Sequence, residues 1–295
     1  LIIMEKNMDN LTNIKFIKDL LGSFGFTFSK GLGQNFLINP MVCPQMAKAS
    51  GCENIGVIEI GPGMGVLTNE LCKVAKKVVA IEVDNRLKPV LAQTLGEYDN
   101  LKIIFGDAMK LDLHKTISDE FGDMPVVICA NLPYYITSPI IMKLLESELP
   151  INSITVMVQK EAAQRLCAKV GTRDCGAVTA AVSFYAKAEK LFDVSRGSFM
   201  PAPNVDSSVI KLDLTKKEPV LVDNKKAMFK IIRAGFNQRR KTLTNSLSSG
   251  LSLDKKEIAQ ALEQCGLKPT ARAEELTLTQ FAKLSDLLFK EKNNG

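Results

Sequence analysis

The residues Asn131, Leu132, Pro133 and Tyr134 close an apolar run, VVICA, and their types suit one kind of chemistry. Adenine's exocyclic amine is a poor nucleophile because its lone pair is delocalised into the ring. Acceptors that hold its N–H groups turn the lone pair toward a methyl donor. The Asn131 side-chain oxygen and the Leu132 carbonyl can accept in this way. Pro133 lacks an N–H and has a fixed φ, so it stiffens the turn. Tyr134 offers a flat face on which an extruded base can stack. A plain proline turn after a buried strand is the alternative for the same residues.

A second constellation lies upstream, in VIEIGPGMGVLT. Gly61, Gly63 and Gly65 let the backbone turn sharply and pass close to a ligand, where a side chain would block the approach. Their spacing is G-x-G-x-G, preceded by Glu59, and differs from the G-x-G-x-x-G of dinucleotide sites. That points to a ligand without phosphate; a purely structural turn is the other reading. Glu82 ends KVVAIEVD, 21 residues after Gly61. An acidic side chain at that offset can accept from ribose hydroxyls. Asp107, in GDAMKLD, can accept from an adenine amino group. Gly61, Glu82, Asp107 and Asn131 then mark four successive strand ends on the edge where open α/β sheets bind ligands.

These residues need a sheet to bring them together. GVIEIG, KVVAIEVD, LKIIFGDA, MPVVICANLP and SITVMVQ are short runs rich in Val and Ile, separated by helical or loop-like stretches. They predict buried strands of a mainly parallel sheet, hence an α/β fold. Two further runs, AAVSFYAKAEKLFDV and SSVIKLDL, predict a closing antiparallel pair. After Leu214 a polar linker leads into segments with helical spacing, with Gly250 and Gly266 where helices should stop. The expected domains are residues 1–213, an α/β sheet, and 214–295, small and all-helical.

In order and at fitting distances, KGLGQNFL, EIGPGMGVLT, IEVD, GDAMKLD, NLPYYIT and FMPAPNVDSSV resemble the ribosomal RNA adenine dimethyltransferases. The resemblance favours the small-subunit (16S) branch, the dimethyladenosine transferases. It implies a Rossmann-like class I methyltransferase sheet in the first domain, which binds S-adenosyl-L-methionine, and an RNA-binding helical domain. It implies cofactor contacts at Asn35, Leu37, Gly61, Gly63, Glu82, Asp107 and Asn131. The catalytic loop it implies runs from Asn131 to Tyr134, with Phe199 stacking the target base opposite Tyr134. Read from its surroundings alone, Phe199 is equally a core plug. Thr137 stands where the family often has Ser, which keeps the hydroxyl. The substrate implied is two neighbouring adenosines near the 3′ end of 16S rRNA, in the small ribosomal subunit or its precursor, and four methyl transfers. Two departures from the large-subunit enzymes that confer macrolide resistance support this branch: where those tend to carry Ser before the Gln and Ile after the Asn, this sequence has Leu32-Gly33-Gln34 and Asn131-Leu132. A non-catalytic ribosome-assembly factor and a nicotinamide dehydrogenase are the rival classes.

Charge adds a partner. The net charge is +6, but residues 215–295 hold 16 Lys and Arg against 9 Asp and Glu, while the rest of the chain holds 22 against 23. A basic module on a near-neutral body suggests a polyanion. Arg239, Arg240 and Lys241 are expected on a helix with one edge toward a phosphate backbone, and Lys30 and Arg173 extend the path. Seven cysteines without a C-x-x-C pair, and one histidine, His114, give no metal site. Free thiols suit a reducing cytoplasm. No apolar run reaches the length of a membrane span, and nothing calls for more than a monomer.

Overall fold

The structure is a computed structural model that describes residues 11–27, 34–216 and 220–289. Its strands are β1 (Phe36–Leu37), β2 (Gly56–Ile60), β3 (Lys77–Glu82), β4 (Leu101–Phe105), β5 (Val126–Asn131), β6 (Ser153–Gln159), β7 (Lys187–Val194), β8 (Phe199–Met200) and β9 (Ser207–Asp213). Seven form one sheet in the order β4-β3-β2-β5-β6-β9-β7, and β1 pairs with β8. β2 through β6 are mutually parallel, and β9 runs antiparallel to β6. The five expected parallel strands are all present. Every residue of β2 is buried, as are five of the six in β3 and in β5. Covered on both faces, such strands must be apolar throughout, which is why they read as continuous runs rather than alternations.

From β2 the chain steps outward to β4, then returns to place β5 on the other side of β2. This reversal opens a crevice at the carboxyl ends of β2 and β5, the place where α/β sheets take ligands.

One expected strand is a helix. AAVSFY lies within a helix over Ala177–Tyr185, and only Lys187–Val194 is strand. Alanine is the strongest helix former, and three alanines in this segment favour the helix. Thr179 fixes its start: the hydroxyl accepts from Gly176 N–H at 2.9 Å and donates to the Arg165 carbonyl at 2.7 Å.

The chain forms two compact units, and a single cut at residue 213 does not separate them. One comprises 1–163 with 189–215; the other comprises 164–188 with 216–295. The second unit contains the helix Ala177–Tyr185 and helices over Lys225–Asn237, Leu243–Leu251, Lys255–Gln264 and Leu278–Phe289. Asn224, Thr242 and Asp254 cap three of them by accepting backbone N–H groups. Gly266 follows its helix at φ +74°, as expected. Gly250 does not stop one: the helix continues to Leu251, and a Cβ there would sit 3.2 Å from Ala234 Cβ. Gly235 is tighter still, 2.8 Å from Leu243 Cδ1. These two glycines serve close helix approach, not termination. Among the described residues no helix is long and apolar enough to cross a membrane.

Candidate active site

A cavity of about 290 Å³ opens at the carboxyl ends of β2, β3 and β5. Asn35, Leu37, Gly61, Gly63, Glu82, Asp107, Asn131, Leu132, Pro133, Tyr134 and Phe199 all line it. The sheet unit therefore brings together every expected cofactor and catalytic residue.

The glycine turn joins β2 to the helix Val66–Val74. Gly61, Gly63 and Gly65 have φ of +73°, +59° and +94°, a left-handed backbone that other residues adopt only under strain. At Gly65 a Cβ would also lie 2.8 Å from the Leu95 side chain. At Gly61 it would meet nothing within 4 Å among the described residues, so bare backbone faces the cavity there.

Glu82 ends β3 and is 5% exposed. Its carboxylate accepts from Gly63 N–H at 3.2 Å and Asp84 N–H at 2.8 Å, while burial pushes its pKa above the usual range. Asp107 lies after β4 and accepts from Met109 N–H at 2.8 Å. Asn131 ends β5 opposite Met157 of β6. Beyond it, Leu132 N–H donates to the Met157 carbonyl at 3.3 Å, and Tyr134–Ile136 form a single 3₁₀ turn. The Tyr134 and Ser207 hydroxyls are 2.8 Å apart. Burial raises the Tyr134 pKa, so its ring is neutral at physiological pH. Thr137 opens the next helix, and its hydroxyl donates to the Pro133 carbonyl at 3.4 Å.

Phe199 is 4% exposed and forms both core and cavity wall. It pairs with Leu37 across the β1–β8 ladder. That ladder joins two motifs far apart in sequence, GQNFL and FMPAP, at one wall.

Beyond the expected residues, one further acid lines the cavity and another lies just beside it. Glu59 lines the cavity at 1% exposure, and its Oε2 has no hydrogen-bond partner among the described residues. Burial, reinforced by the charge of Glu82, pushes its pKa to about 8. The readable signal was a lone acid in an otherwise apolar strand, GVIEI. Asp84, just beyond Glu82, carried no signal apart from its place in IEVD.

Arg239, Arg240 and Lys241 belong to the other unit and are exposed. They do not sit on a helix. The helix ends at Asn237, residues 238–240 form a turn, and Thr242 caps a new helix. Gln238, at φ −129° and ψ 60°, leaves the helical region, and Lys241 N–H closes the turn on the Gln238 carbonyl at 2.8 Å. The Arg239 guanidinium donates to the Arg173 and Cys175 carbonyls at 2.7 and 3.1 Å. Arg240 and Lys241 instead line a shallow polar hollow with Thr242, Asn245 and Lys255. His114 lies elsewhere, 2.7 Å from the Ser147 carbonyl. Lys30 and the residues Leu32 and Gly33 lie outside the described residues.

The sheet order, the glycine turn and the acids at successive strand ends define a Rossmann-like class I methyltransferase. Comparisons with known proteins narrow the class. The profile of the family described as ribosomal RNA adenine dimethylase matches residues 25–290, and the chain belongs to that family. A Geobacillus thermodenitrificans protein named ribosomal RNA small subunit methyltransferase A is 49% identical over 276 residues, covering 92% of this chain and 94% of that protein. A dimethyladenosine transferase from Plasmodium falciparum, known from its crystal structure, is 29% identical with a TM-score of 0.66, over 84% of this chain and 95% of that one. The crystal structure of the 23S rRNA methyltransferase ErmE is 25% identical with a TM-score of 0.62, over 86% and 99%. The chain is thus an rRNA methyltransferase, and the dehydrogenase and non-catalytic readings fall away.

Proposed function

We propose that this enzyme transfers methyl groups from S-adenosyl-L-methionine to the exocyclic amines of two adjacent adenosines near the 3′ end of 16S rRNA, in the small subunit or its precursor. One observation carries the reading: the acids at the ends of β3 and β4, the glycine turn and the Asn131 loop face a single cavity. The name of the 49%-identical relative supports the small subunit as substrate.

The residues present fit the cofactor. Glu82 is a buried carboxylate whose hydrogen-bond donors among the described residues are backbone N–H groups, leaving acceptor capacity for ribose hydroxyls. Bare glycine backbone borders open space at Gly61. Asp107 would accept from the adenine amine, and Asn35, Leu37 and Gly63 would complete the walls. When bound, the cofactor supplies a methyl group on a positively charged sulfur.

Every other part of the mechanism belongs to the chain. Asn131 Oδ1 and the Leu132 carbonyl would accept the N–H groups of the target amine, two before the first transfer and one before the second, and would turn its lone pair toward the methyl donor; the N–H proton leaves to solvent after each transfer. Tyr134 and Phe199 hold the extruded base between their rings. No side chain must take a proton before attack, so rate comes from proximity and in-line alignment. Arg240 and Lys241 supply phosphate contacts from the helical unit. The enzyme works as a monomer in the cytoplasm, where ribosomal subunits assemble.

Mass spectrometry of rRNA fragments tests this. Undermethylated small and large subunits are incubated in parallel with the enzyme and labelled cofactor, and the small subunits should gain two methyl groups on each of two neighbouring adenosines. Label appearing in 23S rRNA instead would favour a large-subunit enzyme, and no label in either would overturn the reading.

A further inference from the structure

The strand end that supplies Glu82 carries a second buried carboxylate. Asp84 is 6% exposed, and both its oxygens are engaged. Oδ1 accepts from Arg86 N–H at 3.1 Å and Arg86 Nε at 2.8 Å; Oδ2 accepts from the second Arg86 nitrogen at 2.7 Å and from Gln34 Nε2 at 2.8 Å. Its own N–H donates to Glu82 Oε1. A carboxylate taken out of water is costly unless charged and polar donors meet it. Here four donors do.

What these contacts connect is informative. The Arg86 guanidinium lies 4.9 Å from the centre of the Phe26 ring and donates to the Thr27 carbonyl at 3.4 Å. The Phe26 ring in turn sits 6.3 Å from that of Phe36, which packs over the glycine turn: a Cβ on Gly63 would lie 3.2 Å from it. One ion pair at the end of β3 therefore ties down Thr27 on one side and Gln34 on the other. Gln34 opens the segment 34–37, which forms one wall of the cavity. The segment's ladder with β8 is only two residues long, too little to fix a strand unaided. Neither Asp84 nor Arg86 lines the cavity.

We propose that Asp84 and Arg86 are positioning residues: through Gln34 they hold residues 34–37 against the cavity and so set cofactor affinity without touching the cofactor. This rests on the cavity being the S-adenosylmethionine site. It makes the end of β3 a two-part device, with Glu82 facing the ligand and Asp84 holding the wall opposite.

Calorimetry with S-adenosylhomocysteine tests it on the full chain. Gln34→Leu should raise Kd about tenfold, the loss of one charge-assisted hydrogen bond. Gln34→Lys, which restores a donor, should stay near the wild type. Asp84→Asn should weaken binding at least as much as Gln34→Leu, and adding Gln34→Leu to it should cost nothing more, as members of one network behave. In steady state the KM for the cofactor should rise by more than kcat falls. Thermal melting of Gln34→Leu guards against a purely structural effect: a lower midpoint with unchanged Kd overturns the proposal. Wild-type binding with Gln34→Leu and Asp84→Asn equally tight overturns it alone. Failure of the wild-type chain to bind overturns the cofactor reading beneath it as well.

Discussion

The sheet unit and the helical unit both present polar residues, but only the first makes its arrangement inevitable. Parallel register sets Ile60 opposite Ile81, Glu82 opposite Phe105 and Asn131 opposite Met157, so the polar strand ends lie along one edge. In the helical unit Arg239, Arg240 and Lys241 sit on an exposed turn between two helices. Arg239 is spent on two backbone carbonyls, while Arg240 and Lys241 line a hollow with hydroxyls, the Asn245 amide and Lys255. Topology turns a carboxylate or an amide into part of a site. Positive charge alone does not do the same for an arginine.

The largest effect should come from the sheet unit's edge. If Asn131 is the acceptor on the reacting amine, Asn131→Ala should lower single-turnover methyl transfer by about 10²–10³-fold, the range seen when one aimed hydrogen-bonding group is lost. Cofactor Kd should change far less. Transfer at a normal rate would remove Asn131 from the mechanism and break the contrast between the units.

Glu82→Ala comes next and acts on binding. Its carboxylate is 5% exposed and faces the cavity. If it accepts from ribose hydroxyls, its removal should weaken cofactor binding by about 10–100-fold. An unchanged dissociation constant in calorimetry would show that the ribose sits elsewhere.

Much of this edge was legible in the sequence, because a buried parallel strand must be apolar and any polar residue at its carboxyl end stands out. Glu82, Asp107 and Asn131 were found that way. Glu59 shows the limit of the method. It lies within the apolar run itself, where burial depends on what packs against it, and no spacing rule announces an acid with an unsatisfied oxygen. AAVSFY failed for a related reason: a short apolar run rich in alanine fits a strand and a buried helix equally well, and Thr179's contacts with Gly176 and Arg165 come only with the fold. In FNQRRKTLTNSL the helical spacing persists across a turn, since Thr242 both continues the pattern and caps a new helix. Gly250 looked like a stop because helix termination and close packing ask for the same residue.

Glu59 also yields a pH prediction. Its pKa rises from 4.5 in a solvated chain to about 8 in the fold, mainly through burial. The folded state thus prefers the protonated acid. That stability is fully present below the unfolded value and is lost as pH rises through about 8. The cofactor-free enzyme should melt at a lower temperature at about pH 9 than at about pH 6, and Glu59→Gln should remove much of the difference. Parallel melting curves for the two proteins would show the acid to be ionised at neutral pH.

The smallest effect tests the helical unit. If Arg240 and Lys241 each neutralise one phosphate, replacing either with Ala should reduce the slope of log Kd against log salt by about 0.7–0.9. Arg239→Ala should leave that slope alone, because its guanidinium is turned toward the Arg173 and Cys175 carbonyls, and should lower the thermal midpoint instead. The two readouts separate a phosphate contact from an internal clamp within three consecutive cations. Equal loss of slope at all three positions would mean that charge is sufficient to define an RNA contact here, and that the helical unit's surface is as readable from sequence as the strand ends of the sheet.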